Sequence, residues 1–448
     1  MIIKSLSSKG VYGYLDFDIQ FNRDVTFLVG GNGAGKTTAL KLLSALVTPN
    51  FRELSQIPFQ SVSVQILDGK KTIEVSARSS RGSIHLQMGG VEDTLILPEI
   101  LNEQFDVYSS PQRQEKINDY IEEINRKYND HPIVKKLSSM QSPIFLGLDR
   151  RRDDSSPYTE YYSERDKWLG VKTTRELRAR RLIKGSIGRS LMETELLVQD
   201  SYRRIRTVEE GLSKRLLDNI LKSLFQYSKL NDLNLENNLN SWKERSGLLE
   251  RQKEIKEVLL NLSGGDTSLS NEVEKFFNEI TSLFEKLQSD ERQGLSIEWL
   301  LNKAQIERMS TIVEIIDNHK SKVDSIFKPI SLFLSTVNNF YIDSRKKLEI
   351  DPVGQLLVER PDGKKCTIEG LSSGERQLLV IFAHSFFHHR TNSSNVFIID
   401  EPELSLHIGW QEKFSETIFS LNPKSQFILA THSPDIVGDN KNKSVGCR

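Results

Sequence analysis

A glycine-rich run near the start of the chain has the residue types and spacing of a phosphate-binding loop. It has the sequence GGNGAGKT and lies between an apolar, β-branched run and a stretch with helical spacing. Glycines let the backbone turn its N–H groups toward phosphate oxygens, and the helix that follows adds partial positive charge. Lys36 would reach the β- and γ-phosphates, and the hydroxyl group of Thr37 would bind Mg²⁺. The candidate nucleotide-binding residues are Asn32, Gly33, Ala34, Gly35, Lys36, Thr37 and Thr38.

Two carboxylates at the end of an apolar run, far downstream, are candidates for metal binding and catalysis. The run Val396–Ile399 is followed directly by Asp400 and Glu401. In open α/β sheets, ligands bind at the carboxyl ends of the strands, where these acids would lie. Asp400 could then hold Mg²⁺ through its water shell, and Glu401 could polarise the water that attacks a γ-phosphate. Two such acids could equally cap a helix, but the loop upstream favours the catalytic interpretation.

Three further segments carry groups that could contact a phosphate. The motif LSSGERQ would open a helix with the hydroxyl groups of Ser372 and Ser373 and the amide of Gly374. The run FILATHS would end a strand close to His432, and Ser405 lies in the run PELSLH directly after the acids. A lone histidine at the end of a strand is usually structural, so the functional interpretation of these segments depends on the order in which they occur along the chain.

The order of these motifs resembles that of the ABC-type ATPases. In that family, the serine and glycine of a signature motif and a switch histidine contact the γ-phosphate, and the loop after the acids crosses a dimer interface. The resemblance gives these roles to Ser372, Ser373 and Gly374 together, to His432, and to Ser405. It also implies that ATP, with Mg²⁺, is sandwiched between the phosphate-binding loop of one subunit and the signature motif of another. We therefore expect a homodimer, and higher oligomers remain open.

The spacing of the motifs narrows the resemblance to one branch. Ser372 lies 336 positions after Lys36, whereas the two motifs are much closer in transporter ATPases. An ATPase head divided in this way resembles the SMC/Rad50/RecF/OLD-like branch. The runs DEPELSLH and ATHSP are most similar to the RecF- and OLD-like ATPases, which include the ATPase subunits of two-gene bacterial antiphage systems such as Septu and PARIS. The resemblance covers residues 1–60 and 340–438.

The chain departs from these families in two respects. OLD-family nucleases carry a TOPRIM nuclease domain after the ATPase, but 16 residues follow His432, and we find no other carboxylate cluster typical of a nuclease. The resemblance then implies that an effector nuclease or toxin is a separate chain. The glutamine that ends the linking strand in many ABC ATPases is not evident, and Asp149 or Gln141 could take its place.

These motifs require an α/β fold, and we predict an ABC-type P-loop ATPase head split by a long α-helical, short coiled-coil-like insertion. The N-terminal part of the head, with the P-loop and a β-meander, would span 1–164, the insertion 165–340, and the C-terminal part 341–448. The elements expected in the head are strands at 12–21 and 25–29, a helix at 38–47, hairpins over 62–97, a helix at 111–128, a strand at 142–148, and buried parallel strands at 356–358, 396–399 and 427–430.

Apolar residues at three-four spacing predict helices in the insertion. Two of them, over 248–262 and 273–287, would be joined at the SGGD turn as an αα hairpin. A third would run from Ser296 to about Lys322 and end before Pro329. Whether this part packs on the head or projects as an arm stays open.

The charge is balanced overall but not along the chain. Lys and Arg number 61, as do Asp and Glu, yet residues 165–206 hold 12 basic and 5 acidic residues. This stretch could bind the phosphate backbone of DNA or a DNA mimic. It could equally pair with the more acidic segment that follows it, or with a partner protein. The candidate surface residues are Arg175, Arg178, Arg181, Arg203 and Arg204.

The composition argues against several other classes of protein. No stretch approaches the roughly 18 consecutive apolar residues of a membrane-spanning helix, and the N-terminus lacks the apolar run of a secretory signal. The two cysteines, Cys366 and Cys447, lack metal-ligand spacing and cannot form a disulfide framework. We expect a cytoplasmic protein with no membrane partner.

The expected function is that of an ATPase that uses ATP and Mg²⁺. It would be a dimeric switch that senses or scaffolds and controls a separately encoded effector, a nuclease or toxin, in antiphage defence. The alternative is a RecF-like DNA-binding ATPase of repair or recombination. A nucleotide-locked scaffold fits poorly with the presence of both Glu401 and His432, and a transporter ATPase gains no support from the helical insertion.

Overall fold

The computed structural model describes residues 1–48, 51–99, 110–147, 186–224, 251–262, 297–387 and 395–447, with helical positions 271, 274–275, 277–279 and 281–282. The chain forms two compact units, Met1–Asp200 together with Phe333–Arg448, and Ser201–Leu332. The first unit contains both ends of the sequence and the segments that carry the candidate ATPase motifs.

The described residues form the following strands and helices. The strands are β1 (Ile2–Val11), β2 (Leu15–Gln20), β3 (Val25–Val29), β4 (Ser61–Asp68), β5 (Lys71–Ser80), β6 (Ser83–Met88), β7 (Leu95–Pro98), β8 (Ile144–Gly147), β9 (Lys347–Ile350), β10 (Leu356–Glu359), β11 (Lys365–Thr367), β12 (Val396–Asp400), β13 (Gln426–Thr431) and β14 (Ser444–Gly446). The α-helices are α1 (Lys36–Val47), α2 (Phe51–Gln56), α3 (Ser110–Tyr128), α4 (Pro132–Ser139), α5 (Ser186–Leu224), α6 (Gln252–Leu262), α7 (Ile297–Tyr341), α8 (Ser373–Phe387), α9 (Ile408–Leu421) and α10 (Pro434–Val437).

A five-stranded parallel sheet, in the order β14-β3-β13-β12-β8, organises the first unit. Its middle strands are short, fully buried apolar runs, as parallel strands covered on both faces require. The rings of Phe397 and Phe427, on neighbouring strands, stack 5.1 Å apart. Because the strands are parallel, the carboxyl ends of β3, β12 and β13 lie at one edge of the sheet. The phosphate-binding loop, the acid pair and His432 follow these three ends.

A six-stranded antiparallel sheet, in the order β2-β1-β4-β5-β6-β7, accompanies the parallel one. Strands β4 to β7 form the predicted hairpins. Strand β1 was not predicted, because serines and lysines occupy many of its positions and a register shift between Ile3 and Ser5 interrupts the alternation. Helix α1 joins the two sheets in one hydrophobic core, which holds Leu6 of β1, Leu43 of α1 and Ile398 of β12.

The prediction that residues 356–358 belong to the parallel sheet is wrong. They form β10, the middle strand of a separate antiparallel sheet with the order β11-β10-β9. Leu356 and Val358 are buried while the residues between and after them are half-buried, an alternation typical of an antiparallel strand with one covered face. A three-residue apolar run is too short for its pattern to separate the two kinds of strand.

The prediction that the third helix of the insertion ends before Pro329 is also wrong. Helix α7 continues through Pro329 to Tyr341. A proline inside a helix costs about 3 kcal/mol. The turns after it bury Phe333, Val337 and Tyr341 completely, and each buried side chain of this size contributes about 1.5–3 kcal/mol. Burial therefore outweighs the cost of the proline.

The second unit is helical where the structure describes it. Leu216 and Ile220 of α5 pack with Ile312 and Ile316 of α7. Arg251, just before α6, donates a hydrogen bond of 2.7 Å to Asp317 of α7. The turn of the predicted αα hairpin lies outside the described residues. Within the described part of the chain, no helix is long and apolar enough to cross a membrane.

Gln426 links the two sheets of the first unit, and its removal should lower stability. Its buried side chain accepts from the backbone N–H of Ile3 and donates to the carbonyl oxygens of Ile3 and Asn22. Gln426→Met leaves these groups without their partner, at about 1–3 kcal/mol for each buried group. We expect the midpoint of thermal unfolding to fall by several degrees. The exposed Gln65→Met on β4 is the matched control, and equal midpoints for both variants would contradict the proposed link.

Candidate ATP-binding site

The phosphate-binding loop turns sharply between β3 and α1. Gly33 and Gly35 have φ angles of +81° and +86°, which glycine adopts without the penalty that other residues incur. A side chain at position 35 would also meet β2, because a Cβ there would lie 2.8 Å from the ring of Phe17. Gly35 is the N-cap of α1, so the start of that helix and its partial positive charge face the loop.

Lys36 is a buried cation at the first position of α1. Its ammonium group, on a side chain that is 5% exposed, donates to the carbonyl oxygens of Gly30 at 2.9 Å and Gly31 at 3.3 Å. It also lies 2.7 Å from Nε2 of His432. Burial lowers the pKa of Lys36, and the nearby charges of Asp400, Glu401 and Glu403 offset part of this effect. The lysine is therefore positioned where an anionic ligand would stabilise its charge.

Asp400 ends β12 with one carboxylate oxygen unsatisfied. Its Oδ1 is buried and has no hydrogen-bond partner. Burial raises the pKa of Asp400, while a hydrogen bond with Thr37 and the charges of two lysines act in the opposite direction. Mg²⁺ is commonly bound through one or two protein oxygens and substrate phosphates. Thr37 and the unsatisfied oxygen of Asp400 fit that pattern, and a divalent cation there would favour the ionised carboxylate.

The loop after the acids, which begins at Glu401 and ends before α9, is a succession of tight turns. Glu401 and Ser405 have φ angles of +50° and +65°, an uncommon conformation for residues with a side chain. The amide of Glu401 donates to the carbonyl oxygen of Ala430 on β13 at 2.9 Å, and Leu404 and Leu406 donate back to Glu401 and Glu403. The resulting geometry holds the Glu401 side chain at the carboxyl edge of the parallel sheet.

The signature segment begins α8 with a capping box. The amide of Ser372 donates to the carboxylate of Glu375 at 2.6 Å, and the amide of Glu375 donates to the hydroxyl of Ser372 at 3.4 Å. Lys346 donates to the same carboxylate at 2.7 Å, and Tyr341 donates to the carbonyl oxygen of Glu375 at 2.8 Å. Burial raises the pKa of Glu375, but the hydrogen bonds from Lys346 and from the amide of Ser372 to its carboxylate bring the pKa below its ordinary value.

Helix α8 also packs directly on the loop after the acids. The buried side chain of Gln377 donates to the carbonyl oxygen of Pro402 at 2.8 Å. Gly374 lies so close to Ser405 that a Cβ at position 374 would overlap the Ser405 carbonyl oxygen. Contact with another backbone therefore accounts for this glycine.

The structure brings part of the predicted site together directly. The residues that lie at one edge of the sheet are Lys36, Thr37, Asp400, Glu401 and His432. Ser372, Gly374 and Ser405 lie at the start of α8. Other predicted residues of the phosphate-binding loop lie beside Lys36 and Thr37, and these are Asn32, Gly33, Ala34, Gly35 and Thr38; Ser373 is the first residue of α8.

Among the other predicted residues, the structure describes Arg203, Arg204 and Gln141. Arg203 and Arg204 are exposed on α5. Gln141 precedes β8 and thus lies toward the amino end of a parallel strand, away from the carboxyl edge that carries the site. Asp149 and the arginines at 175, 178 and 181 fall outside the described residues.

Sequence reasoning missed two carboxylates that organise the site. Glu375 belongs to a Ser-x-x-Glu pattern that signals a helix start, so the sequence contained its signal. Glu403 accepts hydrogen bonds from Thr431 at 2.8 Å and from the amide of His432 at 2.6 Å. No local pattern links positions 403 and 432, because the contact arises only when β12 and β13 pair.

The parallel sheet, the P-loop, the acid pair, the histidine and the helix-opening signature together have the features of a P-loop ATPase head, and helices lie between its two parts in the sequence. A family model described as an AAA ATPase domain matches residues 1–437. The chain therefore belongs to the AAA ATPase domain family.

Individual relatives and solved structures are similar to this chain at low sequence identity. The "Retron Vc95 probable ATPase" of Vibrio cholerae serotype O1 biovar El Tor is 25% identical over 191 residues, 41% of this chain and 34% of that protein. The chain thus matches about a third of that relative's length.

An Smc head domain from Pyrococcus furiosus, solved with the C-terminal domain of ScpA, is 14% identical with a TM-score of 0.41, covering 99% of this chain and 93% of that one. An Smc head domain from Pyrococcus yayanosii is 16% identical with a TM-score of 0.37, covering 99% and 94%.

Because Gly374 contacts the backbone of Ser405, we expect substitution of Gly374 to impair ATP turnover. Gly374→Ala should displace the loop after the acids and lower ATP turnover on the order of 10-fold or more, since small misplacements of reacting groups are costly. Binding of a fluorescent ATP analogue should persist. Gly211→Ala is the control, because a Cβ at this exposed helical position meets nothing within 4 Å. Wild-type turnover in Gly374→Ala would refute the importance of this contact.

Proposed function

We propose that this protein is an ATP-binding and ATP-hydrolysing dimeric switch. The observation that carries the proposal is the buried ammonium group of Lys36, which lies against His432 and next to the pair formed by Thr37 and Asp400. The acids offset only part of the cost of burying the Lys36 ammonium group, and one oxygen of Asp400 has no hydrogen-bond partner. A nucleoside triphosphate with its metal would satisfy both groups. The surrounding loop is of the kind that binds phosphate.

The proposal gives each residue of the site a role. Lys36 and the amides of the loop would hold the β- and γ-phosphates, and Thr37 and Asp400 would hold Mg²⁺, which neutralises phosphate charge. Glu401 would accept a proton from the attacking water, a contribution of about 10²–10⁴-fold in rate. His432 would leave Lys36 and contact the γ-phosphate.

The proposed assembly is a homodimer with ATP between the phosphate-binding loop of one subunit and the signature segment of the other. Its support is the start of α8, where Ser372, Ser373 and Gly374 stand at a helix N-terminus suited to a phosphate. ATP would then join two subunits, and hydrolysis would release them.

We assign the switch to antiphage defence, in the cytoplasm, with a separately encoded nuclease or toxin as its effector. This assignment is supported by the similarity to a retron ATPase and by the resemblance of the motifs to those of two-gene defence systems. A RecF-like DNA-binding function is the second candidate, favoured by the exposed Arg203 and Arg204 on α5. Arg206 on the same helix is paired with Glu209 at 2.6 Å, so part of the basic charge is compensated internally.

Glu401→Gln separates ATP binding from hydrolysis. The variant should bind ATP, lose turnover by a factor of about 10²–10⁴, and accumulate as a dimer in the presence of ATP and Mg²⁺. Phosphate release and light scattering measure the two effects. Glu412→Gln, on the exposed face of α9, is the control and should behave like the wild type. Wild-type turnover in Glu401→Gln would overturn the proposed role of this residue.

Copurification from cells that carry the neighbouring genes distinguishes the two candidate functions. The defence proposal predicts that an effector protein copurifies after nuclease treatment, in a ratio that changes between wild type and Glu401→Gln. A RecF-like protein should instead bind duplex DNA directly, with an affinity that falls steeply with salt. In that case, the double substitution Arg203→Ala and Arg204→Ala should reduce the salt slope by about 0.9 per lost phosphate contact.

A further inference from the structure

We propose that Glu403 is a positioning residue that fixes His432 at the candidate ATP site by binding the backbone amide of the histidine and the side chain of Thr431, the residue before it. This inference rests on the proposed hydrolysis of ATP. Oε1 of Glu403 accepts the amide of His432 at 2.6 Å, and Oε2 accepts the hydroxyl of Thr431 at 2.8 Å. One carboxylate therefore holds two consecutive residues.

His432 needs such a support because the sheet ends just before it. The pairing of β13 with β12 ends at Ala430, and its pairing with β3 ends at Thr431. The amide of His432 is the first one beyond the ladder, and Glu403 supplies its acceptor. A hydrogen bond to a carboxylate is shorter and stronger than one to a neutral acceptor. The carboxylate of Glu403 therefore supplies, at His432, the backbone hydrogen bond that a neighbouring strand supplies within the sheet.

Thr431 extends the same support to the next residue. Its side chain is completely buried, and its hydroxyl donates to Glu403 while it accepts the amide of Ser433 at 3.0 Å. The hydroxyl of Ser433 in turn donates to Gln411 at 2.6 Å and caps α10. The backbone is thus fixed on both sides of His432, while the imidazole remains exposed and faces the ammonium group of Lys36.

Glu403 also connects the histidine to the candidate general base. It lies two residues after Glu401 in the same loop, and the amide of Glu401 donates to Ala430, the residue before Thr431. The loop and the end of β13 are therefore joined twice, once through the backbone at Glu401 and once through the side chain of Glu403. This double connection fixes the distance between the base and the histidine, which both act on the γ-phosphate in the proposed reaction.

The test compares a purely structural role with a positioning role. Glu403→Ala should lower kcat on the order of 10- to 100-fold, while the KM for ATP changes little, because Lys36 and the loop amides remain. Thr431→Val removes the hydroxyl at nearly constant volume and should lower kcat in the same direction. Thr431→Ser restores the hydroxyl and should recover most of the activity. A loss of thermal stability with unchanged kcat in Glu403→Ala and Thr431→Val would overturn the inference.

A double-mutant cycle with His432 gives the sharper outcome. If Glu403 acts through His432, Glu403→Ala should have little further effect on kcat in a His432→Ala background. Independent, multiplicative effects would overturn the inference. Glu403→Gln keeps an acceptor for the amide of His432 and carries the test if Glu403→Ala does not fold, and its kcat should lie between those of Glu403→Ala and the wild type. An inactive wild-type protein would instead count against the proposed ATPase function, so the two failures are distinguishable.

Discussion

The parallel pairing of β13 with β3 and β12 is the constraint on which the site depends. It joins a strand near residue 25 to strands near residues 400 and 430, and its register places Val29 beside Thr431 and Asp400 beside Ala430. Each of these residues is followed by a functional segment. A shift of one residue would turn the side chains of a strand to the opposite face. The buried apolar residues of the three strands therefore determine where the lysine, the acids and the histidine meet.

Electrostatics makes this edge of the sheet suitable for a triphosphate. Lys36 is compensated by neutral carbonyl oxygens and an imidazole, and by acids at longer range. Burial disfavours the charged form of Asp400 as well, because it raises the pKa of this carboxyl group and one of the two oxygens has no hydrogen-bond partner. Neither group is fully stabilised by the protein alone. In the proposed function, a ligand that brings both phosphate and a divalent cation would satisfy the buried cation and the carboxylate together.

The positions of the site's motifs on the strands and helices could be predicted from sequence because each motif is a local pattern, whereas much of the structure that supports them could not. A P-loop after a strand, acids after a strand and a Ser-x-x-Glu helix start are each defined within a few residues. The sequence of β1 lacks a regular alternation of apolar and polar residues. The sequence of β10 is too short to indicate whether its sheet is parallel or antiparallel. Helix α7 passes Pro329 because of burial at Phe333, Val337 and Tyr341, a tertiary effect that no window around the proline contains. Glu403 and Gln426 act through contacts across nearly thirty and more than four hundred positions.

The loop that runs from Glu401 to the start of α9 connects the signature helix, the candidate base and the histidine, and it limits how their positions can change. Its residues Glu401 and Ser405 occupy the left-handed region, which costs roughly 1–2 kcal/mol per residue. Such a conformation persists only where its surroundings impose it. On one side, α8 imposes it through Gln377 and the close approach of Gly374. On the other side, the end of β13 imposes it through Ala430 and the hydrogen bonds to Glu403. Direct contacts thus connect the signature helix, through this loop, to the histidine and the candidate base. In the proposed dimer, the signature segment meets the nucleotide of the partner, so this loop would connect that contact to the hydrolytic groups of its own subunit.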